Sequence, residues 1–294
     1  MQPVRLHPQC IRCLLEKQLN HFPQGISEEE QIVYMQRVLR TLADAPKTAS
    51  APVLVREIGR IQRQMFGYEE DYSEVKTHFN QIMLEREEEI RGKLRRAKDP
   101  LKLAVQYAMT GNYIDFGAMQ KVDEAKLDRL LQQAEELPLQ EQEYQSLRQA
   151  LLSGKSVVYL TDNCGEIVLD KLLMQEIKRI NEQARVTAVV RGHKVLNDAT
   201  MEDAKQVALA DAAYVMDNGS DIAGTCLDDI SRKAKQALDQ ADVILAKGQA
   251  NFETLCKCGK NVYYLFMCKC SLFADRFGVP MYHGILIHDR NCCA

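Results

Sequence analysis

The sequence lacks the features that mark membrane, secreted and nucleic-acid-binding proteins. It has no apolar run near the roughly 20 residues that a membrane helix requires, and residues 1–15 contain no long apolar segment of the kind found in secretory signals. It has no surplus of positive charge, since 38 Lys and Arg residues stand against 41 Asp and Glu residues. Neither a nucleic-acid partner nor a membrane is therefore expected, because phosphate backbones are held by clustered cations.

Several nucleotide and hydrolase motifs are also missing. No G-x-G-x-x-G follows the first predicted strand, which disfavours a dinucleotide site, and no G-x-x-x-x-G-K-[ST] loop is present. The G-x-S-x-G elbow of serine hydrolases is absent as well. Cys164 begins a predicted helix, but Asp170 stands where the cysteine-phosphatase signature has Arg, so Cys164 is not expected to be a nucleophile.

What the sequence does contain is cysteine, ten in 294 residues. Without a secretory signal, so many cysteines indicate reduced thiols in a cytoplasmic protein, or metal ligands, rather than a disulfide framework. The remaining composition, 46% apolar and 27% charged, is typical of a globular protein with an ample core. These patterns carry no signal for an oligomeric state.

The chain divides into two regions with different periodicity. Residues 1–152 show helical spacing of apolar residues, with a capping-box pattern at Ser27 and Glu30 and a helix over residues 101–110. Residues 153–294 alternate short β-rich runs with helical segments, which predicts parallel βαβ units. The predicted fold is a doubly wound, mostly parallel α/β sheet with helices on both faces, plus an all-helical N-terminal region. The predicted strands lie at 157–160, 186–190, 213–216, 243–245 and 262–266.

Polar residues follow these strands. Asp162 and Asn163 come after the first strand, Asp198 follows the second, and Lys247 and Gly248 follow the fourth. The carboxyl ends of parallel strands meet at one edge of a sheet, where ligands bind. Acidic, amide and lysine groups are therefore expected to converge on one crevice.

The oxygen-bearing residues of this crevice predict a metal site. Asp162, Asn163 and Asp198 offer the hard oxygen ligands that Mg²⁺ and Mn²⁺ prefer. Each residue alone is more simply explained as a turn or a helix cap, so the prediction depends on their convergence. Lys247 offers a charge for a phosphate group, and Gly165 and Gly248 allow backbone N–H groups at helix starts to approach an anion.

Several motifs of the chain resemble, in order, those of a known family. Two of them, Asp162-Asn163-Cys164-Gly165-Glu166 and the segment 247–253, surround the predicted crevice. The remaining motifs are Cys10-Ile11-Arg12-Cys13, the segments 111–117, 197–200 and 218–225, and Lys269-Cys270. Together they resemble the damage-control phosphatases, first catalogued as domain of unknown function 89, and the C-x-x-C places the chain nearest the prokaryotic branch.

The resemblance implies a metal-dependent phosphatase that hydrolyses phosphate monoesters of small metabolites, such as sugar phosphates or damaged cofactor and nucleotide phosphates. The implied cofactor is a divalent metal, with Mg²⁺, Mn²⁺, Co²⁺ and Ni²⁺ as candidates. Glu166 or Asp198 would orient an attacking water, or Asp162 would itself attack the phosphorus. By motif, the metal ligands would be Asp162, Asn163 and Asp198, and the substrate and phosphate contacts would be Lys247, Gly248, Asn251, Gly165, Asn112 and Asp115.

Two other interpretations remain open at this stage. One is an S-adenosylmethionine-dependent carboxyl methyltransferase, although its usual glycine-rich loop is replaced by residues 162–166. The other is a non-enzymatic thiol or metal-binding module built on Cys10 and Cys13, which lie one helical turn apart and would form a second metal or redox site. The thiols at 256, 258, 268 and 270 are interpreted as buried cysteines, and those at 292 and 293 as exposed ones.

Overall fold

In the computed structural model, which describes residues 4, 6–67, 70–116 and 122–292, the first half of the chain is helical. Ser27 and Glu30 form the predicted capping box, in which each side chain bonds the other residue's backbone N–H. No helix among the described residues combines the length and the apolar character needed to cross a bilayer. The helices of this half are α1 (Pro8–Leu19), α2 (Glu28–Ala43), α3 (Ala51–Phe66), α4 (Ser73–Arg96), α5 (Pro100–Gly111), α6 (Glu124–Gln132) and α7 (Glu141–Ser153).

The second half forms one sheet with strand order β3-β2-β1-β4-β5-β6. The first five strands are parallel, and β6 pairs with β5 in the antiparallel sense. This is the order of doubly wound Rossmann-type sheets, so the predicted fold class is confirmed. The strands are β1 (Ser156–Leu160), β2 (Arg185–Val190), β3 (Tyr214–Asp217), β4 (Val243–Lys247), β5 (Val262–Met267) and β6 (Gly284–His288). The helices between them are α8 (Glu166–Ile180), α9 (Met201–Gln206), α10 (Arg232–Asp239), α11 (Gly248–Leu255) and α12 (Ser271–Phe277).

Alternate residues of each strand face two separate hydrophobic cores. In β1, Val157 and Tyr159 pack with α4, α5, α7 and α8 on one face. Val158 and Leu160 pack with α10, α11 and α12 on the other face. Because both faces are covered, the central strands are apolar throughout, as expected for a parallel sheet.

One hydrophobic core extends across the predicted boundary at residue 152. Helices α4 to α7 belong to the same core as β1 and α8, whereas α1, α2 and α3 form a smaller cluster of their own. Arg56 on α3 ties this cluster to the α/β half, since its guanidinium lies 2.5 Å from the carboxylate of Asp229 and 3.3 Å from that of Asp221. The division into regions 1–152 and 153–294 stays a prediction.

The loops after β2 and β3 are in direct backbone contact, and a glycine permits it. Gly192 donates its N–H to Asn218 Oδ1 at 2.9 Å, and a Cβ at this position would lie 2.4 Å from the Cα of Gly219. A Cβ and a Cα cannot lie 2.4 Å apart, so a side chain at position 192 would force one of the two loops to move. The close approach therefore requires glycine at position 192.

Gly192→Ala should accordingly lower the free energy of unfolding by about 2 kcal/mol or more, through overpacking. Gly59→Ala is the control, because a Cβ added at position 59 would have no neighbouring atom within 4 Å, and in helix α3 it should stabilise by about 0.5–1 kcal/mol. Denaturant titration measures both. Equal midpoints for Gly192→Ala and the unaltered chain would show that the two loops do not touch.

Candidate active site

The loops after β1 and β4 meet at the point where the strand order reverses. Asp162 lies two residues after β1, and Gly248, with a φ of +80°, follows β4 directly. A Cβ on Gly248 would lie 1.9 Å from Asp162 Oδ2. A ligand crevice is expected at this point in a doubly wound sheet, and a cavity of about 800 Å³ opens here. Its polar walls include Asp115, Asp162, Asn163, Gln249, Glu253 and Lys269.

The three predicted metal ligands come together beside this cavity. Asn163 Nδ2 donates to Asp162 Oδ2 at 2.7 Å, and Asn163 also forms an isolated antiparallel bridge with Asp198. Arg191 lies between the two acids: its Nε donates to Asp198 Oδ2 at 2.6 Å, and its Nη2 lies 3.5 Å from Asp162 Oδ1. The result is a buried group of oxygen atoms with one guanidinium beside it.

Burial makes the ionised form of these acids costly. Burial raises the pKa of Asp162 well above its ordinary value, and the negative charges of Asp198 and Glu166 raise it further. Burial also raises the pKa of Asp198 to about 6, although Arg191 opposes the shift. An additional positive charge near these carboxylates would therefore be strongly favoured.

Behind the predicted metal ligands lies a second buried network centred on Lys247. The Lys247 ammonium is fully buried, and it donates to Ala108 O at 2.8 Å, to Asp170 Oδ1 at 2.8 Å and to Glu166 Oε1. These three contacts use all three of its donors. Although burial lowers its pKa, the two carboxylates hold the pKa of Lys247 above its ordinary value. Its predicted contact with a phosphate stays a prediction.

Asn112 brings the helical region into this network. It caps the C-terminus of α5, and its Nδ2 donates to Asp162 Oδ2 at 3.0 Å and to the two carboxylate oxygens of Glu166 at 3.1 and 3.0 Å. Its own Oδ1 accepts the N–H of Met267 at 3.0 Å, which fixes the orientation of the amide. Nearby, Asp115 pairs with Lys269 on the cavity wall.

The other predicted phosphate contacts hold the turns in place. Asn251 Nδ2 donates to the carbonyl oxygens of Lys247 at 2.6 Å and of Thr161 at 3.2 Å, so it joins the loops after β1 and β4. The N–H of Gly165, at a φ of +68°, donates to Asn80 Oδ1 at 2.6 Å. Both residues position the site; their contact with a phosphate remains a prediction.

Three residues of this arrangement are not among those predicted from the sequence. Arg191, which pairs with Asp162 and Asp198, directly follows β2. Its position could have identified it as a site residue, because the residues that follow each parallel strand lie at the crevice. Lys269 was recognised only as part of a motif. Asp170 carried no signal, since a buried acid on α8 cannot be distinguished from an exposed one before its neighbour Lys247 is known.

The cysteines of α1 lie on the wall of the same cavity. Cys10 and Cys13 line it together with Glu253 and Cys270. Burial raises the pKa of the Cys10 thiol, and the charges of Glu253 and Cys270 add to the shift. The predicted second metal or redox role for Cys10 and Cys13 stays a prediction. Cys164 is fully buried, and burial raises the pKa of its thiol far above the ordinary value, which agrees with its exclusion as a nucleophile.

Comparison with known proteins gives consistent matches over nearly the whole chain. Residues 6–285 match the family model described as the damage-control phosphatase ARMT1-like domain. A protein of Archaeoglobus fulgidus named damage-control phosphatase is 34% identical over 287 residues, which cover 94% of this chain and 96% of that protein. A protein of Pyrococcus horikoshii with the same type of name is 33% identical over 200 residues, or 67% of each chain.

A solved structure also resembles the fold. The crystal structure of a DUF89 family protein from Pyrococcus horikoshii superimposes with a TM-score of 0.78 at 25% identity. The match covers 97% of this chain and 99% of the other. The similarity therefore extends over both the helical and the α/β regions.

Glu253 on the cavity wall predicts a pH dependence of stability. Burial raises its pKa to about 7, with Gln249 opposing, so the folded chain keeps a proton that the unfolded chain releases above its ordinary pKa. The stability gained from this proton is present at pH 4 and is lost as pH rises through 7. The free energy of unfolding of Glu253→Gln, minus that of the unaltered chain, should therefore increase by about 1 kcal/mol or more from pH 5 to pH 8.

Denaturant titrations at the two pH values measure this difference. Glu74→Gln, on the exposed face of α4, is the matched control and should follow the unaltered chain at both. A constant difference between Glu253→Gln and the unaltered chain would mean that Glu253 ionises in the folded state as it does in the unfolded one.

Proposed function

This chain belongs to the family of ARMT1-like damage-control phosphatases, and we propose that it hydrolyses phosphate monoesters of small metabolites with a divalent cation held between Asp162, Asn163 and Asp198. The family predicted from the sequence motifs is confirmed, and so is the enzyme class, a phosphatase. The position of the active site, the metal and the substrate are what the proposal adds.

One observation carries the proposal: the buried network has more negative than positive groups. Four carboxylates, of Asp162, Glu166, Asp170 and Asp198, pair directly with two cations, Arg191 and Lys247. The neighbouring cations, Lys269 and Lys76, are each paired with a further carboxylate, Asp115 and Asp203, so they do not change the balance. Ionising all four acids would leave a surplus of about two buried negative charges, which is costly in a low dielectric. A divalent cation at the cavity would neutralise it.

The ligand set favours a hard metal. All three donors are oxygen atoms, which suits Mg²⁺ and Mn²⁺, and Co²⁺ or Ni²⁺ are further candidates. When bound, such an ion polarises a phosphoryl oxygen and lowers the pKa of a coordinated water. Glu166 is already held by Asn112, Asn163 and Lys247, so it orients the ligands rather than contacting the substrate.

Asp198 is therefore a better candidate than Glu166 for the general base that accepts a proton from the attacking water. Only Oδ2 of its carboxylate is bonded to Arg191, so its other oxygen is placed to accept a proton from the water. The Asp162 carboxylate accepts bonds from Asn112 and Asn163 and lies close to Arg191. These contacts support a role for Asp162 as a ligand, with water rather than Asp162 as the nucleophile.

The cavity supports a small phosphorylated metabolite as the substrate. Its volume of about 800 Å³ lies in the range of small-molecule sites, and Phe116, Leu196 and Met281 add apolar surface to its polar walls. Lys269, held by Asp115 and by Asn112 O at 2.6 Å, offers a cation at the wall for phosphate charge. A cytoplasmic location is part of the proposal, supported by the ten cysteines, which favour a reducing compartment.

The methyltransferase interpretation is not favoured. A cofactor-binding glycine-rich loop would have to follow β1, and that position is occupied by buried Asp162, Asn163 and Glu166, which bond one another and Asn112. These side chains form part of the cluster of oxygen ligands instead.

Asp162→Ala should reduce turnover by roughly 100-fold or more, because it removes a metal ligand, while the chain remains folded. The assay is phosphate release from sugar phosphates, nucleotides and cofactor phosphates, with Mg²⁺, Mn²⁺, Co²⁺ or Ni²⁺ supplied in turn, and circular dichroism reports the fold. Asp228→Ala, at an exposed position, is the control and should keep full activity. Near-normal turnover by folded Asp162→Ala would refute the proposed site.

A further inference from the structure

A second group of metal-binding side chains lies at the opposite end of α11 from the active site. Cys256 ends this helix, and Asp289 and Cys292 lie in and just after the short 3-10 helix Asp289–Asn291 that follows β6. One ligand atom from each residue lies within 4.8 Å of those of the other two, and all three residues are buried. The prediction that Cys292 is exposed is wrong, because only 2% of its surface is accessible.

The two oxygens of the Asp289 carboxylate differ in their surroundings. Oδ1 accepts bonds from the N–H of Lys257 at 2.7 Å and from the Tyr264 hydroxyl at 2.8 Å. Oδ2 accepts a longer hydrogen bond, from the N–H of Gly259 at 3.4 Å. Metal-ligating carboxylates are commonly oriented in this way by hydrogen bonds to one oxygen while the other binds the ion.

A positively charged side chain lies beside the two thiols. Cys256 and Cys292 are joined by a hydrogen bond, and Arg276 acts electrostatically on Cys256. The Arg276 guanidinium also donates to the carbonyl oxygen of Cys292 at 3.2 Å. A cation beside two thiols and a carboxylate offsets the negative charge that remains when these ligands bind a divalent ion.

We propose that Cys256, Asp289 and Cys292 bind a structural zinc ion, with Cys258 completing the tetrahedral set. Two thiolates and a carboxylate suit Zn²⁺ better than the hard cations of the active site. Cys258 is half-buried and lies between Lys257 and Gly259, whose N–H groups both donate to the Asp289 carboxylate. Binding would release the protons of those thiols that are not already ionised.

Such an ion would support the active site from a distance. Helix α11 begins with Gly248, which contacts Asp162, and carries Asn251, which joins two catalytic loops. Its last turn ends at Cys256. A zinc ion there would fasten the end of α11 to the segment after β6, and this role is independent of the proposed phosphatase mechanism.

The test is the zinc content of the full chain, grown with zinc, dialysed against a chelator and analysed by mass spectrometry. About one zinc per chain should remain, because a buried thiolate site releases its ion slowly. Cys256→Ser and Cys292→Ser should each lose this zinc, and Cys226→Ser, a half-buried cysteine outside the group, should keep it. Asp162→Ala should also keep it, which separates this ion from the catalytic one.

Cobalt substitution provides a second measurement that does not depend on the variants folding. Co²⁺ added to the chain produced in medium without zinc should give a thiolate-to-cobalt absorption band, and Zn²⁺ should abolish it. If the unaltered chain retains less than roughly a tenth of an equivalent of zinc and gives no such band, the three residues are packed side chains only and the proposal is overturned. Equal loss of zinc in Cys226→Ser and Cys256→Ser would overturn it as well.

Discussion

The surplus of buried negative charge at the carboxyl edge of the sheet is the constraint on which the rest of the structure depends. Asp162 and Asp198 share one guanidinium, and Glu166 and Asp170 share one ammonium. Isolated carboxylates are rarely buried, because the loss of hydration costs more than nearby dipoles return. Their retention here is explained if a cation completes the group during function.

The fold supplies the positions that this arrangement needs. The reversal of strand order between β1 and β4 places two loops side by side, and Gly248 allows them to touch at the Asp162 carboxylate. Asn112 arrives from the end of α5 and bonds both Asp162 and Glu166. The helical half thus takes part in the site rather than only packing against it, which agrees with the shared hydrophobic core.

Much of this architecture follows from the sequence because parallel βαβ units impose a regular spacing. The five parallel strands were predicted near their observed positions, and the convergence of Asp162, Asn163 and Asp198 follows from the rule that strand ends share one edge. Strand β6 was missed because its antiparallel pairing with β5 lies outside the pattern of parallel βαβ units. The pairing of Lys247 with Asp170, and the burial of Cys292 beside Cys256, depend on tertiary packing that no local pattern encodes.

The central claim is that the carboxylate cluster binds one divalent cation, and calorimetric titration of the chelator-treated chain with Mn²⁺ tests it most directly. Binding of about one equivalent, with a raised unfolding temperature by linkage, is expected for the unaltered chain. Asp198→Asn, which removes one charge from the cluster while keeping the size of the side chain, should weaken this binding by tenfold or more, on the order of 1.4 kcal/mol. Absence of Mn²⁺ binding to the unaltered chain, or equal affinity in Asp198→Asn, would contradict the account.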